Sequence, residues 1–220
     1  MSVEEERREL TWARPNYADT LVVLVGPKQT KFTVYQEMIC ASSEFFRAAC
    51  SGKWKEGQEK TVRLPETVVD DFYAYTHWLL TKKLDLTLAG LSDAMVLVPY
   101  STAAWNLGNF LGNNNFCNSV IDLVLKQSDD QIQLYFSRCA LQWAWATAPN
   151  GAPIIKLFTD LVLARLGDYE YDEDDLEAMP MSITIQVMKR YARSEGKPGC
   201  PTFKDRCNYH EHGEHAQRCT

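Results

Sequence analysis

From Phe32 to Pro65 the chain reads FTVYQEMICASSEFFRAACSGKWKEGQEKTVRLP, and the order of elements in this stretch is its strongest constraint on a fold. Phe32 and Val34 alternate as a strand requires, and from Glu37 the period becomes helical. Met38, Ser42, Phe45 and Ala49 then follow one another at steps of four, three and four, which assigns them one helix face. Ser42 or Ser43, with Glu44 in the next turn, is an N-cap that divides the run into two short helices ended by Ser51-Gly52. A basic turn leads to TVRLP, a strand whose pairing Pro65 limits. Upstream, LVVLV is a β-branched and leucine run stopped at Gly26-Pro27. Its tight connection to KFTVY predicts an antiparallel hairpin.

Downstream the helical period dominates. Thr67 is placed to cap a helix that carries Asp70 in its first turn and a buried stripe of Val68, Phe72, Tyr75 and Leu79. Pro99 reads as the first residue of another helix, with Tyr100, Ala103, Ala104, Leu107 and Leu111 following to Gly112. The run Asn113 to Asn115 is a turn and cap before Phe116, Val120, Leu123 and Val124. Further helical patterns contain Ile132, Leu134 and Tyr135, then Leu141, Ala144, Trp145 and Ala148 up to a break at Pro149-Asn150-Gly151. Pro153 opens a helix with Ile154, Phe158 and Leu161 on one face, ending at Gly167. Seven acidic residues between Asp168 and Glu177, without Lys or Arg, predict an exposed loop. An amphipathic helix follows from Pro180 to about Arg193.

Composition narrows the class. Of 220 residues 45% are hydrophobic and 24% charged, ordinary values for a globular chain. No apolar run approaches the ~20 residues a membrane-spanning helix needs. The MSVEEERREL start is acidic and lacks the apolar stretch of a secretory signal, so a cytosolic or nuclear protein is expected. Seven scattered cysteines and the lack of an Asn-x-Ser/Thr acceptor argue against a disulfide-stapled secreted scaffold. Cys40, Cys50, Cys117 and Cys139 sit among apolar neighbours and are read as small buried side chains. The formal charge of −6 disfavours non-specific attraction to nucleic acid.

DTLVVLVG, FTVYQEMICASSEFFRAACSG and KTVRLPE together resemble the front half of a BTB/POZ domain. VVDDFYAYTHWLL, YSTAAWNLGNFLG and NNFCNSVIDLVL resemble its back half, so the likeness covers about half the chain. ALQWAWATAPNGAPIIKLFTDLVLARLG is similar to the helical extension of filamentous-fungal members. The resemblance implies an α+β fold, a small mixed β-sheet capped by a helical cluster over 17–127 and followed by an α-helical extension over 128–194. Residues 1–16 are then a lead-in and 195–220 a Cys/His-rich tail. Family members act as protein–protein adaptors, commonly as homodimers; many recruit substrates to a cullin scaffold of a ubiquitin ligase, and others serve in transcriptional regulation. The implied partners are therefore proteins, among them a cullin scaffold or a second copy; the composition adds that no membrane is expected and that nucleic acid is disfavoured.

Carried over residue by residue, the cullin-facing pattern that follows the third helix in adaptor members falls on Ser51, Trp54 and Glu56. Trp54 offers a rigid apolar anchor and Glu56 a charge for a basic partner. The family's dimer-interface pocket falls on Asp19 and Gln36. Here the chain departs from the pattern: the usual His-Lys pair is Tyr35-Gln36, so Asp19 is expected to lack its customary cation. The lead-in also lacks the long helix exchanged in swapped dimers.

Three of the four histidines lie in the last eleven residues. Cys207-x₂-His210-x₄-His215-x₃-Cys219 supplies four ligands at spacings close to a zinc knuckle's, with His212 and Cys200 as spares. A tail with so few apolar groups is expected either to be organised by zinc or to remain an unfolded polar terminus. With zinc, the chain is alternatively a nuclear regulator whose Tyr209 or Phe203 stacks on single-stranded bases.

Enzymatic chemistry has no comparable signal. Phosphate-cradling, dinucleotide and His-Glu-x-x-His motifs do not occur, and the Gly52 to Gly57 stretch lacks the Lys-Ser/Thr of a P-loop. His77, the one histidine outside the tail, is read as a packed or solvated helix residue. The acidic run offers carboxylates without a fixed separation. A binding protein, not an enzyme, is expected.

Overall fold

Leu21, Val23 and Val25 alternate along the first strand and all three are fully buried, so one face of the sheet is committed to the core by a period of two. In the computed structural model, which describes residues 18–51, 59–84, 97–129, 138–165, 181–193 and 205–212, β1 (Thr20–Val25) lies between β2 (Thr30–Tyr35) and β3 (Thr61–Leu64). The β1–β2 hairpin is antiparallel, with Leu21 opposite Val34 and Val23 opposite Phe32. β3 runs parallel to β1, with Val23 opposite Val62 and Val25 opposite Leu64. Parallel pairing needs a crossover. Part of it is α1 (Gln36–Ser42) and α2 (Glu44–Ala49), the two short helices read from the sequence.

Six further helices are described: α3 (Val69–Thr81), α4 (Leu97–Phe110), α5 (Asn114–Asp129), α6 (Arg138–Thr147), α7 (Pro153–Arg165) and α8 (Met181–Arg193). The architecture is thus α+β, a small mixed sheet with a helical majority. None of the described helices is long and apolar enough to cross a membrane.

The chain forms two compact units. The first holds the described residues up to Thr81 together with Leu111–Asn113; the second holds the remainder. In the first, an aromatic cluster backs the sheet, with Phe72 5.0 Å edge-on to Phe32, 6.4 Å from Phe46 and 5.9 Å from Tyr75. Ser43 caps α2 by accepting from the Phe46 amide at 3.2 Å, and its hydroxyl donates to the Leu111 carbonyl at 2.6 Å. The Phe45 amide reaches the same carbonyl at 3.2 Å. Tyr75 joins this network through its hydroxyl, 3.2 Å from both Ser42 Oγ and the donating Asn113 Nδ2.

These contacts correct three expectations. The buried residues of α1 and α2 are Ile39 and Phe46, with Ser43 buried between them, whereas Met38, Ser42, Phe45 and Ala49 are only partly covered. The face is one residue out of phase with the reading because Ser43 turns inward to serve two partners. Val68 is 58% exposed, not part of the α3 stripe, since the helix begins at Val69 and Trp78 takes the inward place. Pro99 is the third residue of α4, still inside the first turn, where no amide is required.

In the second unit α4 packs on α5 and α6, and α7 packs on α8. Gly108 allows α4 to approach α5 closely: a Cβ there would come within 2.7 Å of Cys117 Sγ and 2.8 Å of Phe116. Cys117 is the one buried thiol among the four expected inside. Cys40 and Cys50 are partly exposed and Cys139 is exposed, its helix turning that position outward.

Candidate functional site

Ser51 is exposed directly after α2, its amide held by the Ala48 carbonyl at 3.2 Å; Trp54 and Glu56 lie outside the described residues.

Asp19 and Gln36 do come together. Thr20 and Tyr35 are opposite one another at the end of the hairpin, and the Gln36 amide donates to the Asp19 carbonyl at 3.1 Å. The expected lack of a cation at Asp19 is not found. Lys60, at the turn entering β3, donates from Nζ to Asp19 Oδ1. The cation arrives from a different element than in the family pattern, because the parallel pairing of β3 delivers Lys60 to the start of β1, where its carbonyl also accepts from the Val22 amide at 3.0 Å. Gln36 Oε1 is buried with no hydrogen-bond partner among the described residues, a polar atom that a partner could satisfy.

The most developed polar site is on the tail. Residues Asp205 to His212 form a strap around a short 3₁₀ turn (Arg206–Asn208), which Asp205 caps by accepting from the Cys207 amide at 3.1 Å. The strap lies on α5 and α7. Asn118 of α5 makes a two-way amide pair with Glu211, donating from Nδ2 to its carbonyl and accepting its N–H, both at 2.9 Å. One turn on, Asp122 Oδ1 meets Arg206 Nη1 at 3.3 Å and His210 Nε2 at 3.2 Å. From α7, Lys156 Nζ donates to the Asn208 carbonyl at 2.6 Å and stands 5.2 Å from the centre of the Tyr209 ring. Tyr209, only 3% exposed, donates its hydroxyl at 2.9 Å to Asp160, which is 2% exposed.

The electrostatics follow from this packing. Partial burial acts to raise the Asp122 carboxyl, but His210 and Arg206 together outweigh it and hold the group below its ordinary value. Burial, with the Glu211 carboxylate nearby, pushes the Cys117 thiol up to about 12. Burial and the neighbouring Cys50 thiol likewise raise Cys40 to about 12. Both thiols are therefore protonated at neutral pH and poor nucleophiles.

The strap overturns the view that metal alone can order such a tail: Tyr209 is buried and the backbone is tied by side chains from two helices. Tyr209 is accordingly not available to stack on nucleic-acid bases; Phe203 lies outside the described residues. Of the ligand set, Cys207, His210 and His212 are described, while Cys200, His215 and Cys219 are not. His210 and His212 have ring centres 5.9 Å apart, and no group of three His, Cys, Asp or Glu side chains among the described residues is arranged to hold a metal.

Sequence reasoning missed Asn118, Asp122, Lys156 and Asp160. Their signal is two polar pairs at i, i+4 spacing, each presenting one face of a helix otherwise rich in apolar residues. No protein-family model matches the chain, and no curated protein matches it significantly.

Proposed function

We propose that the chain is a protein-interaction module of the BTB/POZ type, an adaptor or oligomerisation scaffold that works by docking proteins and performs no chemistry of its own. The observation that carries this reading is the order in which the quoted stretches fall on the fold. DTLVVLVG supplies β1, FTVYQEMICASSEFF runs through β2, α1 and α2, and KTVRLP returns as β3 parallel to β1.

The first docking segment is Ser51, exposed after α2, with Trp54 and Glu56 following it in sequence, and its partner is a cullin scaffold. The second, for self-association, is the Asp19–Lys60 pair with Gln36 beside it. The protein works in the cytosol or nucleus. In co-purification with a cullin, a Trp54→Ala, Glu56→Ala double variant loses the complex while wild type retains it. Equal recovery with both proteins removes the cullin assignment.

A further inference from the structure

Polar pairs on α5 and α7 hold the strap chiefly by its backbone and by one tyrosine, which is how a protein binds a short peptide and not how a core is packed. Two of the contacts, from Asn118 and Lys156, read main-chain groups of residues 208 and 211 irrespective of side chain. Two others read side chains: Asp160 accepts from a tyrosine hydroxyl, and Asp122 takes a cation three residues earlier and an imidazole one residue later. The receptor is made entirely of helix residues; the ligand is a segment joined to α8 through residues 194–204.

We propose that the face formed by Asn118, Asp122, Lys156 and Asp160 is a peptide-binding site, that Asp205–His212 is its resident ligand, and that the same segment of a second copy of the chain binds there in trans. The second copy is the occupant the contacts favour, because every copy carries a segment that already satisfies all four receptor side chains. Covalent connection gives the resident segment an effective concentration on the order of millimolar, so exchange between copies emerges when the resident contact is weakened or the protein is concentrated. This site shares no residue with Ser51, Trp54 or Glu56, nor with Asp19 and Gln36, and stands whether or not those surfaces bind partners.

Two full-length variants test it. Tyr209→Ala with Glu211→Pro removes the hydroxyl and the N–H from the ligand alone; Asn118→Ala with Lys156→Ala removes backbone recognition from the receptor. A fluorescent acetylated peptide of residues 205–212 binds the ligand variant at least tenfold more tightly than wild type, whose site is filled, and the receptor variant no better than wild type. Tagged ligand variant captures untagged receptor variant in excess of what tagged receptor variant captures, a control that subtracts any dimer formed elsewhere. Peptide binding no tighter to the ligand variant than to wild type overturns the site. Peptide binding without the excess capture overturns the second copy as its occupant. Hydrogen exchange in wild type provides a check free of folding defects in the double variants: the Glu211 amide is protected, and Asn118→Ala accelerates it at least tenfold. An unchanged rate there also overturns the site.

Discussion

Two short segments outside the α-helices, Leu111–Asn113 in the first unit and Asp205–His212 in the second, are both fastened by side-chain hydrogen bonds, yet the bonds differ in kind. Leu111–Asn113 is held by neutral groups, the Ser43 hydroxyl, the Phe45 amide and the Tyr75 phenol, with Leu111 and Asn113 both buried. Asp205–His212 is held by charged groups, Asp122 and Lys156 on part-exposed side chains and a buried Asp160, together with the neutral Asn118 pair. Its buried side chains are Tyr209 and His210. A buried neutral network specifies one arrangement and is costly to open. A charged, half-solvated one is screened, titrates and opens at lower cost. The first segment is therefore part of the framework and the second an exchangeable ligand.

The largest effect is expected in the neutral network. Ser43→Ala removes the α2 cap together with the bond to the Leu111 carbonyl and lowers global stability by about 2 kcal/mol, read as a shift of the denaturation midpoint. Tyr209→Phe deletes one hydrogen bond to a carboxylate, worth about 1.5 kcal/mol, and the comparison requires the loss to be local. The strap amides exchange faster, whereas the denaturation midpoint of the sheet unit stays in place. A shift of that midpoint to match Ser43→Ala would erase the distinction between the two segments.

Asp71, in the first turn of α3, sharpens the electrostatic side of the comparison within the first unit. Burial, then repulsion from Asp70, raises its carboxyl from 3.8 to about 6. Because the folded value lies above the unfolded one, the group's favourable contribution is complete below pH 3.8 and is lost as pH rises through about 6. Asp71→Asn therefore stabilises the protein by about 1 kcal/mol at pH 7.5, after allowance for partial exposure and the helix N-terminus, and by less at pH 4.5. Thermal melts at the two pH values measure the difference.

Asp122 moves in the opposite direction and gives the smallest expected effect, since it is partly solvated. Its folded value lies below the ordinary 3.8, so its hold on Arg206 and His210 is complete above that value and is lost as pH falls through the lower folded one. Strap protection in hydrogen exchange is predicted to persist at pH 5 and to decline below pH 4, with Leu111–Asn113 unaffected over the same range.

How much of this was legible in the sequence depends on the reach of the contacts. β1, β2 and the α7 face of Ile154, Phe158 and Leu161 were readable because their burial is set by a local period. Ser43 was recognised as one of two capping candidates, but its inward turn depends on a carbonyl 68 residues away, and that shifted the expected face by one. The Lys60 partner of Asp19 was hidden because hairpin pairing is local whereas parallel pairing is not. The strap gave no periodic signal at all. It is ordered by Asn118 and Asp122 on one helix and Lys156 and Asp160 on another, and polar residues at such spacing otherwise read as a solvated face.

Cross-linking in cells, followed by mass spectrometry, tests the central claim most directly, because Lys53, Lys55 and Lys60 lie in sequence around Trp54 and Glu56, the residues assigned to partner docking. The account predicts cross-links from these lysines to another protein, lost in the Trp54→Ala, Glu56→Ala variant. Cross-links confined to the chain itself, or an identical set in the variant, would contradict it.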